Sequence, residues 1–81
     1  MSAKKSVLFL IELYLDRFQG AHWARLMRDG SCEQAYRMTP PERYKPTAED
    51  EAATIEKCKQ FAERDCARID ARPFFEVLDL R

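Results

Sequence analysis

The 81-residue sequence contains no closely spaced pair of cysteines, only two glycines, one histidine and no net charge. Its three cysteines, Cys32, Cys58 and Cys66, are odd in number and far apart. This excludes the disulfide framework that staples small secreted domains, and fits a reducing, cytoplasmic setting. It also argues against a structural zinc site, which draws on close cysteine pairs. Cys58 and Cys66 would stand about 12 Å apart along a helix axis, too far to share an ion. No metal or other cofactor is expected.

Catalytic motifs are missing as well. Any Cys–His nucleophile would have to use His22, the only histidine, and nothing around it or Cys32 supplies a third group to orient it. No phosphate-binding motif occurs. Glu12 and Asp16 form a narrow polar edge within an apolar segment rather than a carboxylate pair across a cleft. The expectation is a protein without enzymatic activity. Long apolar runs are absent too: residues 7–11 form a run far below the roughly 20 residues that cross a bilayer. Lys4 and Lys5 precede it as in a secretion signal, but no small-x-small cleavage site follows. No membrane partner is expected.

What the sequence does hold is enough for a core. Hydrophobic residues make up 46% and charged residues 35%, a composition that folds rather than one that stays disordered. The length allows one small domain, which buries only about 60–65% of its unfolded surface. Residues 17–45 carry six basic and three acidic groups, whereas residues 46–81 carry six basic and nine acidic ones. That asymmetry favours attraction between the two parts or between two copies.

Residues 6–18, SVLFLIELYLDRF, fit two periods. As a helix, Leu8, Ile11, Leu15 and Phe18 share a stripe; as a strand, Val7, Phe9, Ile11, Leu13 and Leu15 share a face. The length of the pattern favours a helix over 6–18, with Ser6 as its cap. Residues 21–29 read as a second helical piece stopped by Gly30. Ser31 and Gln34 have the form of a capping box for a short helix over 32–38. TPPERYKP, at 39–46, is a stiff connector. A long helix is predicted over 48–72, capped by Thr47 with Asp50 at its third position. Its inward stripe would be Ala48, Ala52, Ile55, Cys58, Ala62, Cys66 and Ile69. The predicted fold is therefore all-α: a small bundle of two main helices plus two short ones, in a single domain. The alternative is α+β, with residues 7–15 and 74–80 as neighbouring strands.

Either way, the first segment is too apolar for one neighbour to cover. Leaving half of its large side chains in water would forfeit roughly 7–12 kcal/mol, comparable to the whole stability of a small domain. It must be wrapped on several sides or completed by another chain, so a homodimer is expected. The function these features predict is a non-catalytic interaction module, an adaptor or inhibitor that occludes a site on a larger intracellular protein. Small, motif-free intracellular chains encoded by mobile elements often act in this way, an analogy of size that makes such an origin an expectation here. Its contact residues would be Trp23, Arg25, Arg28, Tyr36, Arg37, Arg43 and Tyr44, residue types that dominate interface energies. The alternative is a DNA- or RNA-binding accessory protein that uses the basic and aromatic residues of 22–45.

Overall fold

The computed structural model describes residues 4–81. The element order is β1 (Lys5–Asp16), β2 (Ala21–Arg28), β3 (Ser31–Arg37), α1 (Ala48–Arg68) and β4 (Ala71–Asp79). The strands form one sheet in the order β3-β2-β1-β4. The first three make an antiparallel meander, and α1 carries the chain across to β4, which lies parallel to β1.

This overturns the all-α bundle. The segments expected as helices at 6–18, 21–29 and 32–38 are all strands, and the α+β alternative is the better description. The expected partnership of the first segment with the tail holds: β1 and β4 are adjacent, with Leu8 opposite Phe74 and Ile11 opposite Val77. Length misled the reading of β1. At 12 residues it is about twice a usual strand,, because it pairs with β4 over its first part and with β2 over its last.

Val7, Phe9, Ile11 and Leu13 are all buried, the period-two pattern of a half-covered strand,. β2 is rich in helix formers, but sheet packing overrides that weak preference. Ala24 and Leu26 fall opposite Leu13 and Ile11 and are fully buried. Gly30 ends a strand rather than a helix. It follows Asp29, both have positive φ (50° and 79°), and Arg28 pairs with Ser31 around them. An Asp-Gly pair fits this two-residue hairpin, because such loops need positive φ at both positions. The Ser31–Gln34 capping box does not form, since both residues lie in β3.

α1 begins as expected. The Thr47 side chain accepts from the Asp50 amide, and the Asp50 carboxylate accepts from the Thr47 amide. It ends at Arg68, short of residue 72. Its buried line is Thr54, Cys58, Ala62 and Cys66, flanked by Ile55 and Phe61. Ala48, Ala52 and Ile69, placed on the inward stripe by spacing, are exposed. Small residues let α1 lie close on the row of Val7, Phe9, Ile11 and Leu13, while Phe75 of β4 stacks on Phe9 with ring centroids 6.0 Å apart. One helix thus covers one face of the sheet.

Candidate interaction face

Side chains alternate across a sheet, so the residues between the core positions of β1 point away from α1. When one face of an antiparallel sheet meets water, those positions are usually polar. Here they include Leu8, Leu10 and Tyr14. Their ladder partners continue the surface: Met27 beside Leu10, Trp23 beside Tyr14, and Phe74 beside Leu8. Leu78 lies opposite Glu12 on the same side. Leu8 and Phe74 are about half exposed. No described element covers this face.

The charges at its centre are already paired. Arg25 Nε donates to Glu12 Oε1 at 2.7 Å, and the guanidinium carbon lies 4.6 Å from the Tyr14 ring centroid. Glu12 is only 16% exposed in its side chain, so the pair sits flush with the apolar residues around it. Burial pushes the Tyr14 phenol up from its ordinary value, while Arg25 acts in the opposite direction. The Trp23 indole N–H is buried with no acceptor among the described residues.

The seven contact residues expected from sequence do not form one patch. Trp23 and Arg25 belong to the open face, and Arg37 is Trp23's ladder partner on β3. Arg28 instead reaches Asp65 of α1 at 3.7 Å, and Tyr36 packs against the core. Arg43 binds both carboxylate oxygens of Asp50, holding that acid down at about 2 together with the Thr47 amide. Tyr44 lies edge-on to His22, with ring centroids 6.1 Å apart, and close to Gly20. Arg43 therefore ties the connector to the start of α1, while Tyr44 and Lys45 stay exposed. Reading a helix over 6–18 put Leu8 on one stripe with Ile11 and left out Leu10 and Tyr14; the alternation of a strand is the signal that sets Leu8, Leu10 and Tyr14 on the face opposite Ile11.

The remaining reactive groups are dispersed. His22 and Cys32 sit near opposite ends of β2–β3, roughly 17 Å apart along the ladder at 3.3 Å per residue. His22 Nδ1 lies 3.2 Å from Arg81 Nη1, and Arg81 also binds Asp79 and Glu51. Arg81 holds the Asp79 carboxyl down at about 2. Cys58 and Cys66 are buried in the core, and burial pushes the Cys58 thiol up to about 11. Among the described residues no group of three or more His, Cys, Asp or Glu side chains is placed to hold a metal. No described helix is long and apolar enough to cross a membrane. Set against family models, curated proteins and solved structures, the chain matches none of them.

Proposed function

We propose that this protein is a non-catalytic interaction module, an adaptor or inhibitor, that docks the open face of its sheet on an apolar surface of a larger protein and occludes a site there. The observation that carries the reading is the apolar outward row of β1, Leu8, Leu10 and Tyr14, extended by Trp23, Met27, Phe74 and Leu78. An apolar face of this kind is a feature of interaction surfaces. Covering what remains exposed of each large side chain contributes about 1 kcal/mol. Arg25 and Glu12 can be buried there without leaving an unpaired charge, because each already has its partner,. The free thiols fit a cytoplasmic setting.

The test is capture of a partner by the wild type, by Leu8→Glu/Phe74→Glu on the face, and by Arg43→Ala/Tyr44→Ala in the connector. The reading requires loss with the face variant and retention with the connector variant.

A second reading is favoured by one feature of the same face. The Arg25 guanidinium over Tyr14, with Trp23 beside it and exposed Arg37 on the adjacent strand, resembles a platform on which single-stranded nucleic acid stacks,. That reading requires affinity for mixed DNA or RNA that falls steeply as salt is added. No binding at low salt excludes it.

A further inference from the structure

β1 extends beyond its partner on one side. Its ladder with β4 starts at Lys5, whereas its ladder with β2 starts only at Leu10, opposite Met27. Among the described residues, 5–9 therefore have a neighbouring strand on one flank only. On the other flank, a groove of about 450 Å³ separates the side of β1 from the tip of the β2–β3 hairpin, at Met27, Arg28, Asp29 and Gly30.

The two outer edges of the sheet are guarded. β4 carries Pro73, which has no N–H to offer, and β3 carries a bulge against β2 at Leu26/Met27 together with the charges of Glu33 and Arg37,. Residues 6–9, Ser-Val-Leu-Phe, have neither proline nor charge. Among the described residues, 6–9 thus form a stretch of β1 unpaired on this flank, without proline, bulge or charge, preceded by Lys4 and Lys5.

We propose that a second copy of the chain fills this groove, with residues 4–8 of the two copies pairing antiparallel across a two-fold axis normal to the sheet. Opposed residues must share a face, so odd positions meet odd ones and even meet even. Centring the pair on Ser6 keeps the incoming strand clear of Arg28. Lys5 then faces Val7 of the second copy, and Lys4 faces its Leu8. Lys4, which lies 3.8 Å from exposed Asp70 in its own copy, also arrives beside exposed Asp29 at the hairpin tip. The segment thus supplies the alternation, and its Lys4 meets the one lining acid, Asp29, that has no ion pair among the described residues. About half of the main-chain groups of the segment point toward this flank and gain partners. Both helices fall on one side, and the two open faces join into a single surface. The proposal is independent of what that surface binds.

Opposed α-carbons in an antiparallel pair lie about 4.5–5.5 Å apart, within reach of a disulfide. The test is oxidative cross-linking of Ser6→Cys in a Cys32→Ser background, with Arg17→Cys in the distal turn as control and mass by sedimentation at several concentrations. The expected result is a concentration-dependent dimer, rapid cross-linking through position 6 and little through position 17. Asp29→Lys is expected to weaken the dimer about five- to tenfold, and Lys4→Glu/Asp29→Lys to restore it, with unchanged circular dichroism. Three results would overturn the proposal: a monomer at every concentration, cross-linking no faster at position 6 than at 17, or a dimer that Asp29→Lys leaves intact while Leu8→Glu/Phe74→Glu dissociates it. The last would mean that the open faces pack on each other.

Discussion

Leu8 of β1 and Phe74 of β4 are ladder partners on the face that α1 does not cover, and they remain 55% and 49% exposed. One residue further along, Phe9 and Phe75 are ladder partners on the opposite face, where Phe9 is fully buried. Aromatic and aliphatic side chains therefore occupy both sides of the same two strands. The chain folds with one side covered by α1 and leaves the other open.

If that face serves contact rather than folding, charging it should cost little stability. Leu8→Glu/Phe74→Glu is expected to unfold within about 1 kcal/mol of the wild type, the usual range for exposed sheet positions. Urea denaturation followed by circular dichroism checks this. A loss of several kcal/mol would mean that the face is part of the core.

The Glu12–Arg25 pair should behave differently. Arg25→Ala strips the partner from a carboxylate that is only 16% exposed, and is expected to cost about 1–3 kcal/mol. Glu12→Gln/Arg25→Gln should recover part of that loss, because neither residue is left as an unpaired charge. A double-mutant cycle by denaturation measures the coupling.

Gly30 has φ 79° and follows Asp29 at φ 50°. An ideal Cβ at Gly30 meets nothing within 4 Å, so space is not at issue. Gly30→Ala is expected to cost about 1–2 kcal/mol through the left-handed backbone alone. A substitution without effect on the thermal midpoint would contradict the hairpin assignment.

The three thiols should separate by reactivity. Cys58 and Cys66 are fully buried and burial pushes both thiols up, Cys58 to about 11, whereas Cys32 is exposed. At neutral pH iodoacetamide should modify Cys32 alone in the native protein and all three cysteines after denaturation,. Mass spectrometry reads the number of adducts directly.

Acid should weaken the fold through Asp50 and Asp79. Arg43 with Thr47, and Arg81, hold these carboxyls at about 2 in the folded chain, below the roughly 3.9 of an unfolded aspartate. Their contribution is therefore complete above about pH 4 and disappears as the pH falls toward 2. Asp50→Asn/Asp79→Asn should be less stable at pH 6 and show a flatter decline over that range. Parallel wild-type and variant curves would sink this account.

The long helix was legible from residue 47 onward because its signals are local: Thr47 and Asp50 three residues apart, acids on the first turn, Arg68 near the end. The three N-terminal strands were masked by one another. β1 is long because two neighbours hold it, and no local rule on length anticipates that. Apolar residues on both its sides blurred the alternation that a half-covered strand normally shows. In β2, Ala, Arg, Leu and Met favour helices in isolation and yield to the ladder between β1 and β3. One local signal for the hairpin was present, Asp29-Gly30 directly after a stretch that holds Trp23, Leu26 and Met27. The residues of the open face were only partly legible. Charge and aromatic content also single out Arg28, Tyr36, Arg43 and Tyr44; Tyr36 packs on the core, Arg28 reaches Asp65, and Arg43 pairs with Asp50 and Tyr44 meets His22 while both stay exposed. That Leu8, Leu10 and Phe74 share the open face follows only from the pleat of the strands.

We propose that recognition runs through the uncovered side of the sheet. Its most direct test is site-specific photo-cross-linking in cell extract, with the reactive group placed in turn at Leu8, at Phe74, at Lys57 on α1 and at Tyr44 in the connector. The account predicts one discrete adduct with the same larger protein from positions 8 and 74 and none from 57 or 44. Adducts confined to positions 57 or 44 would contradict it.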